Sequence, residues 1–587
     1  MKWDLDRITP RGQDKVEVPK YLKNIEEGLE SLKVKIQKKK RSEVIDHILD
    51  LQKLYQSWYQ LFEYVICLRS IDTTKEAPQI WLDQVNQVYS IYRIVESQVE
   101  IELAGLSEQE WKVLRGDKRL AEIRTHLKHG RDKQLSRNQA KEEAIFSLEA
   151  DGLHAWGDLH QLAANRISFM LDEDELTAQN ALSTIYYGSD RAKRVEGIKK
   201  WKEAWQHEAP LCAKALNHIA GFRLNAYKNQ GMESSLEESL HLNRMNEKTL
   251  DAMWNTVLQH MEPFYNYIRH KHVLFKEDHL CWTDQFASLP QKQDKMHIPF
   301  KEGVEFIENH LKSFDENIAA FTRHIVENAW VDALPSESKS PGAFCAAFPI
   351  DKESRILMHY NQQIESVGVL AHEIGHAYHY KLLQELPMYR QDCPMVMAEI
   401  ASTLTETIVM RAAIEKAEDY GEKLHLLNQQ LVRDLVTIVN SYIRHQFEVV
   451  FYDKRTSGYV STDELNMLME CIQKEVMNNL FDTYEPTFWA SLRHFYFTHK
   501  PFGHYPYTVA HLISSGLYQF LKKSDDKGTL LKDILLDTSV LSVEELIKKY
   551  TGMNAGEEEF WLLSLEKVFE DIEEFIHLSQ LVSLEDF

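Results

Sequence analysis

The chain has 587 residues and a formal net charge of −22, with 44% hydrophobic and 11% aromatic residues. This length allows large hydrophobic cores in about two to four domains, and the negative charge argues against nucleic acid or an anionic membrane as a general partner. No apolar signal sequence opens the chain, no long uncharged apolar stretch could span a membrane, and the six cysteines include no CxxC pair. We therefore expect a cytoplasmic protein with reduced thiols.

Amphipathic helices are predicted along most of the chain, because only 15 prolines and 22 glycines are available for turns. The stretch EEGLESLKVKIQKKKRSEVIDHILDLQKLYQSWYQLFEYVICL carries apolar residues at spacings of three and four. Similar patterns occupy residues 75–130, 138–171, 195–230 and 246–275. The run KVKIQKKKRSE is interpreted as a solvated helix face or turn, not as a binding patch.

A different composition appears at residues 331–368, where Pro, Ser and Gly separate two short runs, GAFCAAFPI and SRILMHY. Their length and partial alternation predict a small β-hairpin. One edge of that hairpin could hold an extended peptide by main-chain hydrogen bonds. A purely structural hairpin explains the pattern equally well.

The next predicted helix, from about Ile364 to Leu386, carries the stretch VLAHEIGHAYHY and ends before a proline. His372 and His376 are four residues apart and project from one helix face. Two such imidazoles can share a tetrahedral metal ion, with Glu373 beside them to act on a water molecule. In a chain with 26 histidines this pattern can also arise by chance, so it is only suggestive by itself. A hydrolytic zinc site also needs a third protein ligand.

A following helix, expected to begin near Pro394, supplies that ligand. Glu399 lies 27 residues after His372, and a helix–loop–helix return of this length can bring it to the same ion. Ser402, Thr403 and Glu406 share its face. A carboxylate in an apolar helix is unfavourable unless it is paired or metal-bound. The alternative is a solvated helix residue.

The segments AHEIGHAYHY and AEIASTLTE together resemble the oligoendopeptidase F branch of the thimet-oligopeptidase-like zinc metallopeptidases. That family has the signature H-E-x-G-H-x-x-H and a third zinc ligand in a downstream helix. KWDLDRI, YYGSDRAKRVEGIKKWKEAW and HLCWTDQFASLP are similar to further family segments, so the resemblance covers most of the chain. It implies one Zn²⁺ per chain, held by His372, His376 and Glu399, with Glu373 as the catalytic carboxylate.

Two further acid–base residues need separate interpretation. His379 matches the signature but lies about 10 Å further along the helix axis than His372, so we interpret it as a supporting or packing residue. Glu406 either orients a ligating imidazole or forms an ordinary helix salt bridge.

The segment HFYFTHKPFGHYPYTVAHLISSGLY, residues 494–518, is rich in histidine and tyrosine. The resemblance implies that donors from this segment face the scissile carbonyl and stabilise the oxyanion. The candidates are His494, Tyr505 and Tyr507. Because the sequence departs from the family near Gly503 and His511, His504 or His511 could share this role. An aromatic helix packed in the core is the alternative.

The fold implied by the resemblance is mainly α: a large two-lobed shell of helices around a deep channel, with the small β-hairpin next to the zinc-motif helix. An N-terminal helical region is expected over residues 1–195 and a zinc metallopeptidase region over residues 196–587. The expected function is hydrolysis of internal bonds in short, unstructured oligopeptides, with Glu373 as general base.

Two other functions remain possible on the sequence. One is a zinc peptidase of another kind, with an open cleft that cuts whole proteins. The other is a non-catalytic helical scaffold or peptide-binding module with a vestigial metal motif. A set of two histidines and one carboxylate also accepts cobalt or manganese.

Overall fold

The computed structural model describes residues 2–10, 17–38, 41–135, 139–178, 180–276, 279–289, 297–336, 338–340, 342–417 and 419–581. Within these ranges helices dominate, which confirms the predicted mainly α fold. No helix among the described residues is both long and apolar enough to cross a membrane.

The first helices are α1 (Glu17–Gln37), α2 (Val44–Ile71), α3 (Glu76–Ala104), α4 (Glu108–Gly116), α5 (Arg124–Leu135), α6 (Gln139–Glu149), α7 (Ala155–Asn165), α8 (Ala181–Ile185), α9 (Arg191–Gln230), α10 (Glu237–Leu242), α11 (Glu247–Gln259) and α12 (Glu262–Phe275). The next are α13 (Phe300–Lys312), α14 (Glu316–Glu327), α15 (Ile364–Leu383), α16 (Met388–Gln391), α17 (Met395–Lys416), α18 (Tyr420–Asp434) and α19 (Ser441–Ser457). The last are α20 (Thr462–Val476), α21 (Phe488–Ser491), α22 (Tyr505–Lys523), α23 (Lys527–Asp537), α24 (Val543–Thr551) and α25 (Glu558–Leu581). Short π-helical segments, Ala150–His154 and Leu435–Asn440, precede α7 and α19.

The described apolar side chains form two separate cores. The first is built mainly from α1–α5, and Ala346, Leu357 and Tyr389 from later in the chain complete it. The second contains buried residues from Leu153 onward, through α25. Burial therefore changes from one core to the other before residue 153. The predicted division between residues 195 and 196 stays a prediction.

The packing of α1 shows how the sequence pattern produces the first core. Its buried residues follow one another at spacings of three and four, and they include Leu22, Ile25, Leu29 and Leu32. This spacing places them on one face of the helix, which packs on α2 and α3. The polar residues between them face solvent.

Five strands form two small sheets among the described residues. The predicted hairpin is confirmed: β4 (Phe344–Phe348) pairs antiparallel with β5 (Glu353–Leu357). A short strand, β3 (Val331–Asp332), joins β5 in parallel and gives the order β3-β5-β4. The hairpin of β1 (Ser168–Leu171) and β2 (Asp174–Thr177) was not predicted, since the helical pattern assigned to 138–171 overlaps β1.

The elements that carry the metal motif agree closely with the prediction. Helix α15 begins at Ile364 as expected and ends at Leu383, three residues before the predicted Leu386. Helix α17 begins at Met395, directly after Pro394, which occupies the N-cap position. Strand β4 packs against α15 and against α2 of the first core. The motif helix therefore lies where the two cores meet.

Candidate metal centre

Gly375 allows the two ligand-bearing helices to come unusually close. A Cβ atom at this position would lie 2.7 Å from the Cα of Ser402 and 2.8 Å from the carbonyl oxygen of Ala401, both in the backbone of α17. Contacts that short do not occur between real atoms, so only glycine fits here. The close approach brings Glu399, one turn before Ser402, to the face of α15 that carries His372 and His376.

The three predicted ligands converge. One ligand atom from each of His372, His376 and Glu399 can be chosen so that all three lie within 4.8 Å of one another. The Oε2 atom of Glu399 is 3.4 Å from Nε2 of His372 and 3.8 Å from Nε2 of His376. The hydroxyl of Ser402 donates a hydrogen bond of 3.3 Å to the same carboxylate oxygen.

These donors fit a zinc ion. Ligand atoms about 2.0–2.2 Å from a tetrahedral zinc are separated from one another by roughly 3.4 Å, close to the spacings found here. Burial lowers the pKa of His376 to about 4, so its imidazole is neutral near pH 7, as a ligand must be. Burial alone would raise the pKa of Glu399, but the neighbouring imidazoles of His372 and His376 lower it to about 2.

Glu406 contacts the Nδ1 atom of His372, on the other side of the ring from Nε2. Its Oε2 atom lies 3.0 Å from Nδ1 of His372, and its Oε1 atom forms an ion pair with Arg433 of α18. A hydrogen bond at Nδ1 fixes the orientation of the ring and leaves Nε2 available for a metal. Both interpretations of Glu406, as orienting residue and as salt-bridge partner, therefore hold at once.

Glu373 is 5% exposed, and its side chain leaves α15 about 100° around the helix axis from that of His372. Its Oε2 atom is buried without a hydrogen-bond partner among the described residues. Burial, opposed by His372 and reinforced by the charge of Glu399, raises the pKa of the carboxyl to about 7. A carboxyl group in this position can accept a proton near neutral pH.

His379 has a structural role. Its Nε2 atom lies 2.8 Å from the hydroxyl of Thr538 and 3.1 Å from the carbonyl oxygen of Leu535, at the C-terminal end of α23. Burial lowers the pKa of this imidazole to about 4. The ring thus ties α15 to α23, in agreement with the predicted packing role.

The structure separates the two tyrosines of α22. The hydroxyl of Tyr505 hydrogen-bonds with Ser239 at 3.0 Å and Asn243 at 3.2 Å, so its side chain joins α22 to α10. Tyr507 is close enough to Glu399 and Glu373 for their charges, added to burial, to raise its pKa. Tyr507 thus lies near two carboxylates of the candidate metal centre, whereas the hydroxyl of Tyr505 is bound by Ser239 and Asn243. The reason is that α22 turns the Tyr505 side chain into the core.

The histidines of this segment also occupy different environments: His494 lies beside Tyr507, whereas His511 contacts Asp434. The ring of His494 is 6.0 Å from the ring of Tyr507 and 4.9 Å from that of His504, which is buried. His511 instead lies 2.9 Å from the carboxylate of Asp434, inside the second core. His494 therefore remains a candidate donor beside Tyr507, whereas His511 is engaged elsewhere.

Sequence reasoning missed two residues beside the metal centre. Lys500 is near enough for its charge to act on Glu399 and His376. Tyr380 lies one turn after His376. Burial is the main cause that raises the pKa of Tyr380, and the nearby carboxylate of Glu399 adds to it. Tyr380 could have been found, because it continues the helix face of the ligands. Lys500 carries no such signal beyond being a single lysine in an aromatic run.

Asp392 and His499 lie near Lys500, whose charge acts on the pKa of both groups. Both side chains are exposed to solvent, yet desolvation raises the pKa of Asp392 and lowers that of His499 to about 3. The surrounding protein therefore limits their hydration although they touch solvent. The hydroxyl of Tyr55, from α2, donates a 2.7 Å hydrogen bond to Asp392, so the first core contributes to these surroundings.

Comparison with known proteins supports the same interpretation. The family model described as peptidase family M3 matches residues 289–562, which include the three ligands, Glu373 and Tyr507. The matched segment makes up just under half of the chain. The resemblance to oligoendopeptidase F is also confirmed at the level of the fold. The oligoendopeptidase-F from Enterococcus faecium superimposes with a TM-score of 0.69 at 17% identity, covering 97% of this chain and 98% of that one.

Two relatives of similar sequence come from bacteria. Oligopeptidase PepF of Bacillus subtilis (strain 168) is 24% identical over 370 residues, which are 62% of this chain and 52% of the relative. Group B oligopeptidase PepB of Streptococcus agalactiae is 23% identical over 420 residues, 70% of this chain and 68% of that protein. The chain thus aligns with about half the length of the Bacillus relative.

Proposed function

We propose that this chain belongs to peptidase family M3 and is a zinc-dependent endopeptidase that hydrolyses internal bonds of short oligopeptides. One observation carries the proposal: three donors, His372, His376 and Glu399, converge beside a buried carboxylate oxygen of Glu373 that has no partner among the described residues. Binding two imidazoles and one carboxylate leaves a fourth position open for water or substrate. The names of the relatives, oligopeptidase PepF and PepB, agree with this class of substrate.

Glu373 is the proposed general base. His372, His376 and Glu399 would hold the zinc ion, which when bound would supply Lewis-acid polarisation and lower the pKa of water. The free oxygen of Glu373 would accept a proton from the attacking water, and the carboxyl group would then deliver that proton to the leaving amine. Because Glu373 follows His372 directly, its side chain lies about 100° away around the helix, too far round to serve as a ligand.

Tyr507 and His494 are proposed to stabilise the oxyanion that develops on the substrate carbonyl. A donor aimed at developing charge in a poorly hydrated site contributes more to the transition state than to the bound substrate. Burial keeps the Tyr507 hydroxyl protonated, since it raises the pKa of that group. Tyr505 is left out of this role, because Ser239 and Asn243 occupy its hydroxyl.

The peptide is proposed to lie in extended form along β4. The order β3-β5-β4 puts β4 on the outside of its sheet. The pKa of Cys345 in β4 is raised first by burial and second by the charge of Glu373. This strand therefore runs beside the proposed general base. An outer strand can pair with an added chain through main-chain hydrogen bonds, which holds peptides of many sequences.

We also propose a limit on substrate size. The charge of Lys500 acts on Asp392 and His499 as well as on Glu399 and His376. Because Asp392 and His499 contact solvent yet are partly desolvated, we place them along a narrow approach to the metal centre. An unfolded peptide can enter such a space, whereas a folded protein cannot.

All six cysteines are free thiols, which supports a cytoplasmic location, where thiols stay reduced.

Metal analysis tests the proposal. The wild-type protein should contain one zinc per chain, and His376→Ala should lose it, whereas the matched control His241→Ala, at an exposed position in α10, should keep it. Full zinc in the His376→Ala protein would contradict the ligand assignment.

Quenched-fluorescent peptides of graded length test the substrate class. The rate of cleavage should fall once the peptide exceeds a modest length. Rapid cleavage of denatured casein into large fragments would support an open-cleft protease instead. No cleavage of any peptide by the zinc-loaded protein would support a non-catalytic scaffold.

A further inference from the structure

An apolar pocket adjoins the metal centre and has no part in the mechanism described above. It has a volume of about 280 Å³, and its walls include Tyr187, Phe286, Val369, Met410, Val432 and Val436. This volume is slightly below the range of about 300–1,000 Å³ typical of small-molecule sites. The pocket is therefore suited to one large side chain, not to a folded partner.

The position of the pocket follows from the geometry of α15. Glu365, Val369, His372 and His376 fall within about 60° of one another around the helix axis, so they share one face. Val369 is about 4.5 Å along the axis from His372. Glu406, which hydrogen-bonds to His372, also lines the pocket. The pocket thus continues the ligand-bearing face of α15 toward its N-terminus.

Gly368 keeps this space open between α15 and α17. A Cβ atom on Gly368 would lie 3.2 Å from the sulfur of Met410 and 3.4 Å from Oε1 of Glu406. Both of those atoms belong to residues that line the pocket. A larger side chain at position 368 would therefore fill the end of the pocket nearest His372.

The charged groups of the pocket are already paired with protein groups. Arg433 forms an ion pair with Glu406, and Glu365 accepts a hydrogen bond from Gln429. Because Gln429 is neutral, the carboxylate of Glu365 is the one charge in the lining without an ionic partner among the lining residues, so the pocket disfavours an acidic ligand. In contrast, Val369 and Tyr187 are 39% and 48% exposed, which is unusual for apolar side chains this close to a buried site.

These observations have one common explanation, which rests on the proposed function. We propose that the pocket binds a large apolar side chain, aliphatic or aromatic, on one of the two substrate residues that flank the cleaved bond. Burying such a side chain removes apolar surface from water on both partners. Tyr187 and Phe286 add aromatic walls, whose rings are 6.5 Å apart in an edge-to-face arrangement.

A peptide series tests the proposal. The peptides differ at one flanking position at a time, which carries Gly, Ala, Leu, Phe, Asp or Lys. For the wild-type enzyme, kcat/KM should be about 10- to 100-fold higher with Leu or Phe than with Gly at one of the two positions, since burying such a side chain contributes about 1.5–3 kcal/mol. Asp at that position should give the lowest value, because the carboxylate of Glu365 lines the pocket.

Two variants connect this preference to the pocket. Val436→Trp fills it, so the ratio of kcat/KM for the Phe and Gly peptides should fall close to one. Val369→Ala enlarges it at an exposed position that tolerates truncation, so the preference should move from Leu toward Phe. The control Val273→Trp, at a 66% exposed position of α12, should keep the wild-type ratio.

Binding measurements keep this test separate from the proposed function. Fluorescence anisotropy on the Glu373→Gln protein reports peptide affinity without cleavage, and it should show the same preference and the same effect of Val436→Trp. If no peptide is cleaved but this pattern holds, the proposed function fails and the pocket assignment stands. A wild-type enzyme without preference at either position, or an unchanged ratio in Val436→Trp, would overturn the pocket assignment.

Discussion

Replacing Gly375 by alanine should damage the metal centre although the added group is a single methyl. That methyl would lie 2.7 Å from the Cα of Ser402 and 2.8 Å from the carbonyl oxygen of Ala401. Neither backbone atom can move alone, so α17 must retreat by about 0.7 Å to reach an ordinary contact of 3.4 Å. Metal-binding distances tolerate only about ±0.2 Å.

The expected magnitude follows from this displacement. Overpacking of this kind costs about 1–3 kcal/mol, and the better helix propensity of alanine returns up to about 1 kcal/mol. Because Glu399 is carried by the helix that moves, we expect most of the strain to weaken zinc binding, by about tenfold or more.

Chelator competition measures zinc affinity, and thermal unfolding of the metal-free protein measures the remaining strain. Gly116→Ala is the matched control, because a Cβ there would have no atom within 4 Å. Its zinc affinity should equal that of the wild type. If Gly375→Ala binds zinc as tightly as Gly116→Ala does, close packing of α15 on α17 is not what positions Glu399, and the reasoning is refuted.

Two further predictions concern groups around the ligands. Glu406→Gln keeps the shape of the side chain but removes the charge that His372 and Arg433 share, so zinc affinity should fall about 10- to 100-fold in chelator competition; unchanged affinity would contradict the orienting role. Tyr507→Phe should lower kcat about 100-fold or more with zinc retained. Tyr505→Phe, which loses hydrogen bonds within the core, should instead lower the unfolding temperature with a small effect on kcat; the opposite pattern in steady-state kinetics would restore Tyr505 as the donor.

The convergence of the three proposed metal ligands was predictable because its geometry is mostly local. A separation of four residues places His372 and His376 on one face of any α-helix. Glu399 required only that α17 fold back on α15, which the length of the intervening loop allows. The β4–β5 hairpin was predictable for the same reason, since its two short apolar runs are separated by a turn.

The donors of α22 were not predictable, because their orientation depends on distant contacts. Tyr505 and Tyr507 are two residues apart, so their side chains point about 200° apart around the helix. Which of them faces the metal centre depends on the packing of α22 against α10 and α17. Similarly, the ion pair between Glu406 and Arg433 joins residues 27 positions apart in different helices, and nothing in their local sequence indicates it.

The β1–β2 hairpin was not predicted because the helical spacing of the preceding residues outweighed the turn signal. The apolar residues of the segment 138–171 fit a helical spacing, and β1 occupies only its last four residues. The turn between β1 and β2 includes Asp172 with a φ of 54°. Aspartate adopts this left-handed conformation more readily than most residues, so the Asp-Glu pair there was the available turn signal.

The central claim is that Glu373 acts as the base and not as a ligand, and Glu373→Gln tests it most directly. Zinc content, kcat and peptide affinity should be measured on the same preparation. The account predicts one zinc per chain, near wild-type affinity and a kcat lowered by at least about 100-fold. A Glu373→Gln protein that loses its zinc, and regains full activity when zinc is added in excess, would contradict it.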